Sequence, residues 1–231
     1  MDKLFFERLN RFKKKYPSNW QANLSEFLNR FRVEYERAKY KEYLSSGYAI
    51  ADAQNKARNS WVAFLGKKLE EIVFLFLKDF CDSKGLSLVK GSELKNCKNN
   101  MILSDVRRKI EITFNKYSLL PDADIVIYKK SGSEIEVKAI ISIKNSFRER
   151  YTETPYWKIK LKQNKVTENI KVFMITPDND NEISFVKIRP RQPRIVMEYE
   201  LDSIYLLKKE FDKSQKIKSI DDIFKDLESI I

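Results

Sequence analysis

The sequence predicts an α/β fold with a helical N-terminal third, and two observations predict it. Apolar residues recur at i, i+3, i+4 spacing up to about Phe80, and from about Ile110 the pattern changes to short β-branched runs set off by polar turns. The first helix runs from Leu4 to Tyr16 and stops at Pro17, and the second runs from Trp20 to about Leu44 and halts at Ser45-Ser46-Gly47. A third spans Ala51 to about Phe80, with Trp61, Phe64, Leu65, Leu69, Ile72, Val73, Phe76 and Phe80 forming its apolar stripe; Asp82-Ser83-Lys84-Gly85 ends it. Strands are expected at Ile110–Phe114, Ile125–Tyr128, Ile135–Ile143, Ile170–Thr176, Ile183–Ile188 and Ile195–Leu201, and a last helix between Ile220 and Ile231. Residues 1–50 read as a helical N-terminal region and residues 51–231 as the core, unless residues 1–231 form one continuous domain.

Composition removes whole classes of chemistry. The 231 residues include no histidine, which excludes Ser-His-Asp and Cys-His triads, HNH-type nuclease sites and His-ligated zinc. Two cysteines far apart, Cys81 and Cys97, do not make a disulfide scaffold or a Cys-rich metal site, and they fit a reducing cytoplasm. The apolar runs are too short to span a membrane, and charge interrupts Met1–Arg8 too early for a signal peptide. Hydrophobic residues at 42% argue against disorder. A net charge of +12 favours a polyanionic partner, most simply nucleic acid.

The most informative stretch is Leu120-Pro121-Asp122-Ala123-Asp124 leading into the strand Ile125–Tyr128, followed by a turn at Ser131-Gly132-Ser133 and the strand Glu134–Lys144. A three-residue loop at 131–133 would set Asp122 opposite Ser142 and Asp124 opposite Ile140, with even-numbered residues sharing a face. Asp122, Asp124, Ser142 and Lys144 then converge at one end of the hairpin. Carboxylates beside a lysine are what Mg²⁺-dependent phosphodiester hydrolysis requires: the acid for the cation, the lysine for the attacking or developing oxyanion. Of the two acids, Asp124 directly leads the apolar strand and is favoured as the metal ligand, with Asp122 as the alternate. Glu136-Val137-Lys138 is a formal acid-x-Lys on the same strand, but the register sets it about six residues from the aspartates, at a solvated strand end. Without chemistry, the same hairpin is a β-ribbon with charged tips.

Ser142-Ile143-Lys144-Asn145-Ser146-Phe147-Arg148-Glu149-Arg150 resembles a motif of type II restriction endonucleases of the PD-(D/E)xK fold. The likeness is to the branch that cuts CCGG or interrupted CCGG sites, which includes BsaWI, NgoMIV and the EcoRII catalytic domain. It is close from Pro121 to Arg150 and looser over the preceding helix. It implies a mixed central sheet flanked by helices, with Ser142 standing where the usual acid would be, Lys144 as the catalytic lysine, and a displaced acid supplied later in the chain. Glu153 is the nearest candidate for that acid. The family places this acid on a following helix, whereas Trp157-Lys158-Ile159-Lys160-Leu161-Lys162 alternates like a strand. Gly66-Lys67-Lys68-Leu69-Glu70 also resembles the first-helix Gly-x-x-apolar-Glu of these nucleases, which would place Glu70 beside the metal-bound water network. Helical geometry puts Glu70 about 100° from Leu69, at the edge of the apolar stripe.

In the family an Arg-acid-Arg triplet after the lysine reads bases, and chemistry supports that role. Arginine donates two hydrogen bonds to guanine O6 and N7, and glutamate accepts from cytosine N4, so Arg148, Glu149 and Arg150 suit adjacent G·C pairs. Lys158, Lys160, Lys162, Arg191 and Arg194 suit phosphate contacts, or a solvated basic face. The leading expectation is a Mg²⁺-dependent restriction endonuclease that acts on double-stranded DNA as a homodimer, each subunit reading half of a palindrome. The alternatives are a structure-reading nuclease of the same fold, which would not need Arg148-Glu149-Arg150, and a non-catalytic DNA-binding protein.

Overall fold

The computed structural model describes residues 1–147 and 150–231, and it is α/β with a helical first third. Helices α1 (Asp2–Lys15), α2 (Leu24–Ser45) and α3 (Ile50–Ser83) fall within about a turn of their expected limits. Just beyond α3, Gly85 takes φ +68, the left-handed conformation with which glycine ends helices. There follow β1 (Leu86–Lys90), α4 (Gly91–Lys95), α5 (Met101–Ile110), a small hairpin of β2 (Ile112–Phe114) and β3 (Tyr117–Leu119), then β4 (Ile125–Ser131) and β5 (Glu134–Ile143). The chain is completed by α6 (Glu153–Lys162), β6 (Lys171–Thr176), α7 (Gln192–Glu200), β7 (Ser203–Leu206), β8 (Ile217–Ser219) and α8 (Ile223–Glu228).

Among the described residues six strands form one mixed sheet in the order β1-β4-β5-β6-β7-β8. The β1/β4 and β4/β5 pairs are antiparallel, and the β5/β6, β6/β7 and β7/β8 pairs are parallel. Both faces of the sheet are covered. One face carries Ile125, Ile127, Ala139, Ile141, Phe173 and Ile175 against α1, α2 and α3, in a single apolar cluster that runs from Phe5 to Leu227. The other face carries Val126, Tyr128, Ile140, Val172 and Met174 against the side of α5, α6 and α7.

The β4–β5 register differs from the three-residue-loop expectation. Ser131 pairs with Glu134, so the loop is the two residues Gly132 and Ser133, and Gly132 supplies the positive φ such a turn needs at its first central position. Lys138 is then bulged out between Val137, opposite Tyr128, and Ala139, opposite Ile127. The bulge reverses the side-chain alternation, so Ile135 and Val137 share a face with Ile140. Beyond it Ile125 faces Ile141, which sets Asp124 rather than Asp122 level with Ser142.

Two expected strands are absent as such, and the segment that alternates like a strand is helical. Trp157–Lys162 belongs to α6, where Pro155, Lys158 and Leu161 make the buried helical face. Ile195–Leu201 lies mostly in α7, whose buried Pro193, Arg194 and Met197 repeat at helical spacing and whose proline sits at the helix start, where a missing N–H is harmless. Ile183–Ile188 forms no strand; its first two residues bend around the Asp178 carboxylate, and Ile188 is fully open to solvent. At the C-terminus a 3-10 turn, Ile220–Asp222, precedes the short α8.

Candidate active site

Asp124 stands one residue ahead of β4 and is held from two sides. Its N–H donates to Ile141 O at 3.0 Å, and its Oδ2 accepts the Ile143 N–H at 2.5 Å, so the end of β5 fixes both backbone and carboxylate. From the other side Gly91 N–H donates to Asp124 O at 2.9 Å. A Cβ on Gly91 would come within 1.7 Å of Ala123 O, so only glycine allows that approach.

Lys144 follows β5 directly, and its N–H continues the parallel pairing by donating to Ile175 O at 3.2 Å. Its Nζ is 3.2 Å from Asp122 Oδ2 and 3.4 Å from Glu153 Oε2. Glu153 is the first residue of α6, so the helix that the alternating sequence obscured is where the acid comes from. The same carboxylate takes the fork of Arg150, with Nε and Nη2 donating at 2.8 and 3.0 Å. One residue further, Thr154 Oγ1 donates to Ser142 Oγ at 3.0 Å, and both side chains are buried. Ser142 therefore fastens the start of α6 to β5, its buried hydroxyl accepting from Thr154.

The electrostatics separate these acids. Burial raises the Asp124 pKa, with a smaller push from Asp122, while the Ile143 N–H, Lys144 and Lys95 act in the opposite direction. Glu70 on α3 is also raised, first by burial and then by the charge of Asp124, with Lys90 opposing. Glu153 is lowered, chiefly by the hydrogen bond from Arg150, with Lys144 assisting against burial. Partly buried carboxylates of this kind are oxygen donors that suit a hard cation. Among the described residues no three acidic or thiol side chains are gathered closely enough to enclose an ion by themselves.

The structure thus brings together Asp122, Asp124, Lys144, Glu153 and Glu70. It keeps Glu136 and Lys138 apart from them, bonded to each other at 2.6 Å further along β5. Arg150 is exposed, Lys160 is half-buried near the Gln163 amide, and Arg191 is exposed and paired with Glu182. Lys158 and Arg194 do not offer phosphate contacts. Lys158 is buried against Asp202 and Ile170 O, and Arg194 is buried with its guanidinium on the carbonyls of Ile183, Ser184 and Asp212. Arg148 and Glu149 lie outside the described residues. Gly91, Lys90, Lys95 and Thr154 were missed in the sequence; Gly91 had one signal, being one of only five glycines in the chain.

An acid pair ahead of one sheet strand, a lysine at the end of the next and an acid opening the following helix agree with the resemblance drawn from Ser142–Arg150. The model of the BsaWI restriction endonuclease type 2 family matches residues 93–226, a span that contains Asp122, Asp124, Lys144 and Glu153. The chain belongs to this family. Curated relatives agree with that placement. MjaVIP of Methanocaldococcus jannaschii, named as a type II restriction enzyme, is 44% identical over 207 residues, covering 89% of this chain and 92% of the relative. HpyAORF263P of Helicobacter pylori, similarly named, is 40% identical over 188 residues, covering 81% of this chain and 95% of the relative. In fold the chain is similar to the restriction endonuclease PspGI in its substrate DNA complex, with TM-score 0.57 at 15% identity over 98% of this chain and 92% of that one. As a member of the BsaWI family the chain is a type II site-specific deoxyribonuclease, which sets aside the structure-reading and non-catalytic alternatives. Among the described residues, no helix is long and apolar enough to cross a membrane.

Proposed function

We propose that this BsaWI-family enzyme is Mg²⁺-dependent and cuts double-stranded DNA at a short palindrome containing CC and GG, either CCGG or the two pairs with a spacer. The observation that carries the catalytic part is the meeting of Asp124, Lys144 and Glu153 at the ends of β4 and β5 and the start of α6. Asp124 and Glu153 would hold the cation, with Asp122 as the alternate to Asp124. Mg²⁺ bound there supplies positive charge at the scissile phosphate and a more acidic water. Lys144 neutralises charge that builds on the reacting phosphate, and Asp122 and Glu153 hold its ammonium in place. Glu70, with its raised pKa, accepts a hydrogen bond from water beside Asp124.

The target follows from the arginines. Arg148 and Arg150 each match guanine O6 and N7, and Glu149 matches cytosine N4, which favours adjacent G·C pairs. A palindrome is read by two copies related by a two-fold axis, so the enzyme acts as a homodimer. Half-buried Lys160 and exposed Arg191 serve the phosphate backbone. The two buried free thiols, Cys81 and Cys97, suit a reducing compartment, and we place the enzyme in the cytoplasm. Purified protein incubated with a sequenced plasmid and Mg²⁺ is expected to give discrete fragments whose termini map to sites with CC and GG. Termini at sites built only of A·T pairs would refute the role of the arginines; a smear would refute site reading altogether.

A further inference from the structure

The segment that joins catalytic Lys144 to Arg148 is fastened to one loop on the neighbouring strand. That loop, residues 177–184, follows β6, the parallel neighbour of β5. Asn179 Nδ2 donates to Asn145 Oδ1 at 2.9 Å, and Phe147 N–H donates to Asp180 Oδ2 at 3.3 Å. The Phe147 ring is buried in the core beneath.

The loop is itself rigidly built. Asp178 is fully buried at φ +44, and its carboxylate accepts the N–H groups of Glu182, Ile183 and Ser184 at 2.9, 3.1 and 2.7 Å and also the Ser184 hydroxyl. Lys208 Nζ braces the loop by donating to Asp178 O at 2.7 Å and Asn181 Oδ1 at 2.9 Å, and the Ser25 hydroxyl of α2 donates to Asn179 Oδ1 at 3.3 Å. Asp180 has a different balance. Its second oxygen is buried without a partner among the described residues, an arrangement that lowers stability. What the carboxylate does make is the link to the Phe147 backbone, one residue before the base-reading triplet.

We propose that Asn179 and Asp180 are positioning residues for sequence recognition: by holding Asn145 and Phe147 they set where the chain leaves the catalytic strand, just ahead of the base-reading triplet. The inference rests on the reading of that triplet as the base-contacting segment. Left-handed backbone at Asp178 and at Asn181 (φ +55), for residues other than glycine, fits a loop held in a demanding shape for function.

The test uses the full chain with two DNA duplexes, one carrying the mapped cleavage site and one with a single base pair of it changed. Asn179→Ala and Asp180→Ala are each expected to lower the ratio of kcat/KM on the two duplexes by about tenfold, while kcat on the intact site stays within about threefold. Asp180→Asn keeps an oxygen that can accept the Phe147 N–H and is expected to restore most of the discrimination. Asn145→Ala combined with Asn179→Ala should cost no more discrimination than either alone, because both break one bond. If Asp180→Ala fails to fold, half-buried Asn179 still decides the matter. An unchanged ratio, or an equal fall on both duplexes, would overturn the proposal. Arg150→Ala run alongside separates the two readings. If it keeps its site preference, the base-reading assignment fails; if it loses that preference while the Asn179 and Asp180 variants keep theirs, only the positioning role falls.

Discussion

Lys144 Nζ lies 3.4 Å from Glu153 Oε2, although the two residues belong to different elements and nine positions separate them. An acid-x-Lys strand would have placed the acid at position 142, two residues before the lysine. The serine found there cannot supply a charge, but its buried hydroxyl receives Thr154 and so holds the start of α6 against β5. Ser142 thus anchors the helix whose first residue brings the acid back to the lysine.

Replacing Lys144 by alanine is expected to lower single-turnover cleavage by about 10²–10³-fold, the usual cost of losing one group that stabilises transition-state charge. Site-specific binding in the absence of Mg²⁺ should persist, since the bases are read elsewhere. Quench-flow cleavage and gel-shift binding on the same duplex check both. If Lys138→Ala were the inactive variant instead, the register that puts Lys138 in a bulge would be wrong.

The Ser142–Thr154 pair should behave as a coupled unit. Thr154→Val leaves the Ser142 hydroxyl buried and unpaired, and is expected to cost about 1–3 kcal/mol and to lower the cleavage rate as α6 loosens. Ser142→Ala added to Thr154→Val removes both partners and should recover most of the lost stability. Urea melts of the two single variants and the double variant measure the coupling; strictly additive losses would refute it.

Asp124→Asn should stabilise the metal-free protein while abolishing cleavage. The folded-state pKa of Asp124 is raised, so the native state holds this proton more tightly than the unfolded chain. Its contribution to stability therefore falls as pH rises from the unfolded to the folded pKa and stays reduced at neutral pH. Removing the charge removes that penalty. Added Mg²⁺ is expected to raise Tm in the native sequence, because a cation that binds only the folded state stabilises it, and to leave the Tm of Asp124→Asn unmoved. If Asp122→Asn alone lost the Mg²⁺ response, the ligand role would pass to Asp122.

Much of this was legible in the sequence, and the remainder was hidden for physical reasons. The stripe from Trp61 to Phe80 and the hairpin acids could be read because helical spacing and strand alternation survive in single chains. The register at Asp124 could not, because a bulge at Lys138 and a shortened turn act together, and neither leaves a pattern in the residues around it. Helix α6 was hidden because Trp157, Ile159 and Leu161 alternate with lysines, one of which, Lys158, is buried in an ion pair that no periodicity reveals. Gly91 matters through a contact with Ala123, far along the chain.

Four of the cations expected to meet DNA phosphates divide by burial, and salt dependence should divide them too. Lys158 Nζ is 2.5 Å from Asp202 Oδ2 and donates to Ile170 O at 2.9 Å, tying α6 to the segments beside β6. Removing Lys158 takes away the buried partner of Asp202 and leaves it the more exposed Lys171 at 3.4 Å and the Val172 N–H, so Lys158→Ala is expected to cost about 3 kcal/mol while leaving the slope of log binding constant against log salt concentration unchanged. Lys160→Ala and Arg191→Ala are expected to do the reverse. Each should reduce that slope by about one phosphate contact and alter stability by no more than about 0.5 kcal/mol. Arg194, buried on three backbone carbonyls, should follow Lys158. Fluorescence titrations of a fixed duplex at several salt concentrations, paired with thermal melts, separate the two groups. A Lys158 variant with a normal melt and a shallower slope would return that lysine to the DNA interface.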